Sequence, residues 1–174
     1  GHFDEGIIYA YHSSQTGPST TPNWSAQSDT HGAQLGIGLS VIGDINADGY
    51  MDVAAGAPYL DDGDFEEGWV FVWLGSTVGL SSTPDWSYSP NYTYSYAGTS
   101  IAPAGDINGD GYHDFAFGMP GYNNNNGYVR VYLGSASGVG STQLTVSGAS
   151  SSQLGTSVAW AGDVNGDGYS DFFT

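Results

Sequence analysis

Residues 35–52 read LGIGLSVIGDINADGYMD, and this stretch decides the fold because it occurs three times. Its near copies are AGTSIAPAGDINGDGYHD at residues 97–114 and LGTSVAWAGDVNGDGYSD at residues 154–171. The three copies begin 62 and 57 residues apart. A recurring period of this kind indicates that each unit is one supersecondary structure, which buries its apolar surface against its neighbours.

Each unit divides into four short apolar or alternating runs separated by Gly, Pro, Asn and Asp, which is typical of strands and tight turns. In the middle unit these runs, named A to D, fall at about residues 97–105, 113–119, 127–134 and 142–147. No run has a sustained helical period with capping signals, so we expect essentially no helix. Four antiparallel strands per repeat predict an all-β chain whose units are the blades of a β-propeller.

The repeat pattern predicts a single propeller segment with internal boundaries. Residues 1–34 correspond to the C–D half of a blade, residues 35–96 and 97–153 to two whole blades, and residues 154–174 to an A–B half. These are three blade equivalents, whereas propellers close with about 4 to 8 blades. Two interpretations stay open. In one, a homodimer completes a six-bladed ring by pairing strand B of one copy with strand C of the other. In the other, the chain is a piece of a longer propeller.

The segment between runs A and B carries the strongest chemical signal of the sequence. In each copy, oxygen-bearing side chains occupy positions 1, 3, 5 and 9 of a nine-residue loop, and Gly occupies position 6. With a backbone carbonyl at position 7, this spacing is suited to wrapping a hard cation. The candidate ligands are Asp44, Asn46, Asp48, Tyr50 and Asp52 in the first loop, Asp106, Asn108, Asp110, Tyr112 and Asp114 in the second, and Asp163, Asn165, Asp167, Tyr169 and Asp171 in the third.

Calcium is the cation that these loops favour, with three ions per chain. Ca²⁺ accepts 6 to 8 oxygens in flexible geometry, whereas Mg²⁺ requires stricter octahedral placement. An EF-hand shares the opening residues, but its Glu at position 12 is replaced here by Ala55, Phe117 or Thr174. Turn formation alone does not require three carboxylates per loop. Weak calcium sites of about 10⁻⁴ to 10⁻³ M are typical of extracellular modules, which predicts a secreted or cell-surface location.

The strongly negative net charge of the chain excludes several classes of binding partner. Eighteen acidic residues stand against a single basic residue, Arg130, giving a formal charge of −17. Such a chain lacks the basic surface that nucleic acids and anionic membranes require, and no apolar run is long enough for membrane insertion. An aromatic content of 14% supplies enough apolar surface for a packed core, which argues against disorder.

Catalysis is not expected from this composition. The chain has no Cys, and His2, His12, His31 and His113 are scattered. His113 lies in a metal loop at a non-ligand position. Nucleophilic catalysis therefore has no candidate group, although paired carboxylates for glycoside hydrolysis stay open.

In a four-stranded meander, the B–C and D–A loops lie at the end opposite to the predicted metal loops. These loops are rich in Tyr and Asn, residue types that stack on ligands and form hydrogen bonds with them. A solvated loop set is the alternative interpretation. The candidate ligand-binding residues are Tyr59, Asp61, Tyr92, Tyr94, Tyr122 and Asn124.

The sequence resembles the FG-GAP repeat family, the calcium-binding blades of integrin alpha-subunit propellers and of many bacterial secreted proteins. The resemblance rests on the Leu-Gly or Ala-Gly pairs before run A, on the three Asp-x-Asn-x-Asp-Gly-Tyr-x-Asp loops, and on Gly56-Ala57-Pro58 with its variant Gly118-Met119-Pro120. No Phe precedes Gly36, Gly98 or Gly155, and three blades differ from the seven common in the family. The resemblance implies a non-enzymatic module for adhesion or recognition of a protein or carbohydrate. A lectin, or a structural segment of a larger secreted protein or enzyme, is the alternative.

Overall fold

The computed structural model describes residues 1–15 and 17–174. The chain is all-β, with 40% of residues in strands and 2% in helix. The strands of the described ranges are β1 (Ile7–Ala10), β2 (Ser13–Ser14), β3 (Gly17–Pro18), β4 (Trp24–Gln27), β5 (Leu39–Gly43), β6 (Asp52–Ala57), β7 (Trp69–Trp73), β8 (Trp86–Tyr88), β9 (Ile101–Gly105), β10 (Asp114–Met119), β11 (Tyr128–Ser135), β12 (Gly138–Ser147), β13 (Ala159–Gly162) and β14 (Asp171–Phe173).

The strands form antiparallel sheets in chain order. Strands β5 to β8 make one four-stranded meander and β9 to β12 make a second. Strand β1 pairs with β4, β13 with β14, and the short β2 with β3. The second meander contains all four predicted runs of the middle unit. Run A begins later than predicted, at Ile101, because a turn closed by the Thr99 N–H and the Tyr96 carbonyl precedes it.

One short turn departs from the expectation of essentially no helix. Tyr122–Asn125 forms a four-residue element, α1, between β10 and β11. Asn123 and Asn124 within it have left-handed backbone angles, with φ of 52° and 58°. Asn tolerates this conformation better than most residues, so the Asn run makes a tight turn without helical signals.

Apolar side chains between successive sheets form the core. The largest cluster lies between the two meanders and contains Ile42, Ile45, Val70, Val72, Phe115, Phe117 and Met119, all fully buried. A second cluster joins the β1–β4 pair to the first meander, and a third joins the second meander to the β13–β14 pair. The sheets therefore stack face to face in sequence order.

Glycine allows close backbone contacts within and between units. Within a unit, the Gly56 N–H donates to the Gly38 carbonyl at 2.8 Å, and the Gly98 N–H donates to the Gly118 carbonyl at 3.1 Å. A methyl group on Gly56 would overlap the carbonyl of Gly98, and one on Gly118 would overlap that of Gly155. The Gly in strand B of each meander thus permits the next unit to pack against the sheet, which explains why Gly recurs at this position.

We expect Gly56→Ala and Gly118→Ala each to lower the free energy of unfolding by about 2 kcal/mol or more, because the added methyl group forces two backbones apart. Urea denaturation monitored by tryptophan fluorescence measures the change. Gly140→Ala is the matched control in strand β12, since a methyl group there comes no closer than 3.1 Å to the Leu133 carbonyl oxygen. An equal loss of stability in the control would show that glycine content, not close approach, accounts for the effect.

Candidate metal site

A β-bulge positions each of the three acidic loops. The loops connect β5 to β6, β9 to β10, and β13 to β14. In each strand pair the register shifts immediately before the loop, and the Gly preceding loop position 1 then pairs with the Asp at position 9. These pairs are Gly43 with Asp52, Gly105 with Asp114, and Gly162 with Asp171. The bulge therefore brings the first and last carboxylates of each loop to the same end of the sheet.

The side chains at positions 1, 3 and 5 converge on the amides of the loop itself. In the first loop the Asp44 carboxylate accepts hydrogen bonds from the Asp48 N–H at 3.0 Å and the Gly49 N–H at 2.8 Å. The Asn46 Oδ1 accepts from the same Asp48 N–H at 3.2 Å, and the Asn46 amide donates to Asp48 Oδ2 at 3.0 Å. The Tyr50 N–H donates to Asp48 Oδ1 at 2.9 Å. Three oxygen-bearing side chains are thus held within one turn of the backbone.

The second and third loops repeat this geometry. Asp106 accepts from the amides of Gly109, Asp110 and Gly111 at 2.7 to 3.1 Å, and Asp163 accepts from those of Gly166, Asp167 and Gly168 at 2.6 to 3.1 Å. Loop position 4 distinguishes the loops. Gly109 and Gly166 have positive φ there, whereas Ala47 has a φ of 56° in the first loop. The first loop therefore carries a strained alanine where the others have the residue that this conformation favours.

The carboxylate at position 9 lies deeper than the others. Asp52 is fully buried and accepts from the Ile45 N–H at 2.8 Å and the Gly75 N–H at 2.7 Å. Asp114 is bonded in the same way, to Ile107 and Gly134, both at 2.8 Å. In the third loop Asp171 accepts from the Val164 N–H at 3.0 Å. Position 9 thus ties the loop to the start of the strand that follows and, in the two meanders, to the end of strand C.

Burial raises the pKa of the Asp52 and Asp114 carboxyl groups above its usual value. The amides of Gly75 and Gly134 oppose this effect, whereas the charges of the other acidic residues of each loop raise the pKa further. The Asp163 pKa is lowered, chiefly by the hydrogen bond from the Gly168 N–H. A raised pKa means that the folded state disfavours the ionised carboxylate. The two meander loops therefore hold negative charge that their own amides only partly compensate.

The chemistry of the donors fits a hard cation. Each loop gathers carboxylate and amide oxygens at positions 1, 3 and 5 and a carboxylate at position 9, and these oxygens are the ligands that Ca²⁺ prefers. Among residues 1–15 and 17–174, no three His, Cys, Asp or Glu side chains come close enough to one another to hold a metal unaided. Asn46, Asn108 and Asn165, together with backbone carbonyls, are therefore needed to complete each predicted ligand set.

His113 is the residue of this region whose role sequence reasoning did not identify. It occupies position 8 of the second loop, where the sequence predicts no metal ligand, and its imidazole contacts the first loop. The His113 Nδ1 accepts a hydrogen bond from the Asp44 N–H at 2.9 Å, across the junction to the first loop. The sequence hints at this role only in that loop position 8 is not the same in the three copies, which have Met51, His113 and Ser170 there.

The opposite end of the meanders carries two aromatic groups. In the first, named the exposed aromatic patch, Tyr59 packs edge-on against Tyr96 at 5.6 Å between ring centroids, and Phe65 lies 5.9 Å from Tyr94. Phe65 is 60% exposed and Tyr94 is 50% exposed. Acidic residues surround this patch. Asp61 accepts from the Glu66 N–H, and Asp64 accepts from the Thr93 hydroxyl at 3.0 Å.

The second aromatic group is a stack of tyrosine rings. Tyr122 lies between Tyr92 and Tyr128, with centroids 4.4 Å apart on each side. The Tyr122 ring thus packs against two other rings of the protein. Asn124 is exposed on the neighbouring turn. Of the six residues predicted to bind a ligand, Tyr59, Asp61 and Tyr94 lie together at the exposed aromatic patch.

In the described part of the chain, no helix has the length and apolar character that a membrane crossing requires.

Comparison with known proteins agrees with the repeat architecture. Residues 36–73 match the profile of the FG-GAP repeat, and residues 106–174 match that of the FG-GAP-like repeat. Integrin alpha-PS3 of Drosophila melanogaster is 34% identical over 154 residues, which cover 81% of this chain and 14% of the relative. Human integrin alpha-6 is 32% identical over 148 residues, covering 80% of this chain and 12% of the relative.

A third relative, integrin alpha-PS5 of Drosophila melanogaster, is 41% identical over 96 residues, covering 52% of this chain and 9% of the relative. The chain thus spans about one seventh or less of the length of these curated relatives. Both repeat profiles match a unit built of antiparallel strands around an acidic loop. The chain belongs to the FG-GAP repeat family, and its sheets are those of a β-propeller.

Proposed function

We propose that this chain is a non-enzymatic, calcium-binding β-propeller module that serves extracellular or cell-surface adhesion or recognition. The observation that carries the proposal is the threefold recurrence of one loop geometry, in which carboxylate and amide oxygens gather around the same backbone turn. Similarity to integrin alpha subunits supports the adhesion role and an extracellular location. A lectin, or a structural segment of a larger secreted protein or enzyme, remains the second candidate, since the relatives are much longer than the chain.

Each loop would hold one Ca²⁺, giving three per chain. In the first loop the ligands would be the side chains of Asp44, Asn46, Asp48 and Asp52 and the carbonyl of Tyr50, and the other loops would use the equivalent residues. When bound, the ion supplies positive charge that neutralises the clustered carboxylates. Three ions would reduce the formal charge of −17 to about −11. Calcium binding and folding are therefore coupled, because the unfolded chain lacks the gathered oxygens.

Calcium is expected to raise the melting temperature of the protein relative to the same protein in chelator. At free calcium ten times the dissociation constant, each occupied site contributes about 1.4 kcal/mol. Asp48→Asn removes one carboxylate from the first loop with little change of shape. In chelator it should be neutral or slightly stabilising, because repulsion falls, whereas in calcium it should remove the contribution of that site. Differential scanning calorimetry in both conditions measures this change of sign.

Asp62→Asn is the matched control for the calcium experiment. Asp62 is exposed near the exposed aromatic patch, so its substitution changes the net charge by the same amount away from the loops. It should leave the calcium-induced shift unchanged. A wild-type protein whose melting temperature does not respond to calcium would contradict the proposed calcium sites, and an equal effect of both variants would attribute the shift to net charge.

Recognition is expected at the exposed aromatic patch. Its rings combine apolar area with neighbouring acidic groups, and aromatic residues dominate the binding energy of many protein interfaces. Because Asp61, Asp64 and Glu66 surround Phe65 and Tyr94, charge complementarity favours a protein partner with basic residues over a neutral sugar. The contacts of the Tyr122 ring with Tyr92 and Tyr128 leave less of its surface for sugar stacking.

Tyr94→Ser is expected to weaken binding of a ligand selected from a displayed library of basic peptides by about tenfold or more, since truncating a central aromatic residue commonly costs about 2 kcal/mol. Tyr11→Ser is the control, because Tyr11 is 51% exposed but lies in the N-terminal region of the chain. Biolayer interferometry gives the affinities. Selective binding on a glycan array, with no basic peptide recovered, would instead support the lectin alternative.

We further propose that a blade forms from the two strand pairs at either end of the described fold. In the meanders, strand B pairs with strand C, as β6 does with β7 and β10 with β11. Strand β14 is equivalent to B and β1 to C, and Phe173 and Ile7 on them are exposed. With residues 1–34 and 154–174 as half blades and 35–96 and 97–153 as whole ones, two copies would complete six blades. In a longer propeller, strands of neighbouring repeats would pair with the same edges of β14 and β1.

If two copies pair in this way, sedimentation should give twice the 18.1 kDa chain mass at micromolar concentration. Phe173→Asp should then shift the protein toward the monomer, because it places a charge on the pairing strand. Val78→Asp, at a residue that is 91% exposed, makes the same chemical change away from that edge and should leave the dimer intact. A stable monomer would contradict the homodimer and favour a longer propeller.

A further inference from the structure

The residue at loop position 8 contacts the loop of the preceding unit, and this contact is not the same at the two junctions between units. His113 occupies this position in the second loop, but its side chain packs against Gly43 and Asp44 of the first. The ring Nδ1 of His113 accepts a hydrogen bond from the Asp44 N–H at 2.9 Å, and the backbone N–H of His113 donates to the Asp44 carbonyl at 3.2 Å. One residue of the second meander therefore holds both backbone groups of the residue at loop position 1 in the first.

A third hydrogen bond strengthens the same junction. The Ser135 N–H, at the end of strand β11, donates to the Ile45 carbonyl at 2.9 Å. Ile45 follows Asp44 and is fully buried in the core between the meanders. The start of the first loop is thus fixed by the neighbouring sheet as well as by its own strands. Because the Asp44 carboxylate in turn accepts two loop amides, fixing its backbone orients the oxygens at the centre of the loop.

The junction between the second and third loops has the same arrangement but lacks the side-chain hydrogen bond. Ser170 lies against Gly105 as His113 lies against Gly43. Its N–H donates to the Asp106 carbonyl at 3.4 Å, but among the described residues no side chain accepts from the Asp106 N–H. The serine side chain is too short to replace the imidazole. The first loop, which carries the strained Ala47, is therefore the one that receives extra support.

We propose that His113 is a positioning residue for the first metal loop: it holds the Asp44 backbone so that the Asp44 carboxylate is set for a divalent cation before the cation binds. This inference rests on the proposed calcium function of the loop. With this role for His113, the calcium affinity of the first loop depends on a side chain of the adjacent unit. The loop and the junction between the two meanders are consequently coupled, and strengthening one strengthens the other.

The test uses protein in which Asp110→Asn and Asp167→Asn disable the second and third loops, so that calorimetric titration with calcium reports the first loop alone. His113→Ser installs the residue that the next junction already tolerates and is expected to weaken calcium binding roughly fivefold, the effect of one lost hydrogen bond. His113→Asn should restore the affinity to within about twofold of the parent, because its Oδ1 lies where the imidazole Nδ1 accepts.

Hydrogen exchange of the Asp44 amide in chelator supplies a second readout, independent of calcium. The amide should exchange faster in His113→Ser than in the parent, and protection should return in His113→Asn. Equal weakening by both substitutions would reduce His113 to a packing residue and overturn the inference, as would unchanged affinity in His113→Ser. If the unsubstituted protein binds no calcium, the proposed calcium function fails, and the inference fails with it for that separate reason.

Discussion

Nine of the 18 acidic side chains of this chain lie in three nine-residue loops, while Lys and Arg together number one. Two carboxylates about 4 Å apart repel each other by about 1 kcal/mol in water and by about 4 kcal/mol near a protein surface. The loop amides offset part of this repulsion, since each position 1 carboxylate accepts two or more N–H groups. The loops contain no Lys or Arg to compensate the remainder. The calcium ions proposed above would have the charge and size to do so, and the stability of the fold would then depend on the calcium concentration around it.

The loops also join the sheets, so their electrostatics and the packing of the core are not separate. Position 2 of the first loop is Ile45, whose side chain lies in the core while its carbonyl accepts a hydrogen bond from the next sheet. Position 9 is Asp52, which links the loop to strand C of its own sheet through the Gly75 N–H. Disturbing the carboxylates therefore displaces groups that hold two sheets together. Calcium bound in the loops as proposed would therefore stabilise the contact between the sheets in a chain that has no disulfide.

The sequence was sufficient to predict the features that repeat, and it failed where the units differ. The number and order of the strands in the middle unit and the position of the acidic loops follow from period and turn chemistry, which act locally. The starts of strands A and D differ from the prediction by four residues, at Ile101 and Gly138. The contact between His113 and Asp44 joins residues 69 positions apart, and no local pattern encodes it. The tyrosine stack was likewise hidden, because composition shows that Tyr92 and Tyr122 are aromatic but not that each covers the other. The left-handed Asn turn of α1 is a third example, since its backbone is set by the strands that it connects.

The end of the sheets opposite the metal loops is held by a different set of bonds. The N–H groups of Leu35, Ala97 and Leu154 donate to the carbonyls of Glu5, Glu67 and Asn126, which pins each D–A loop to a B–C loop. The fully buried Glu67 adds bonds from the Asp62 N–H at 3.1 Å and the Ser89 hydroxyl at 2.5 Å. Main-chain and buried side-chain bonds, rather than a cation, therefore set the shape of the proposed recognition surface. Under the proposed function, calcium at the opposite end would act on the stability with which the sheets are held together. Selection of the partner would then fall to Phe65, Tyr94 and the acidic residues beside them.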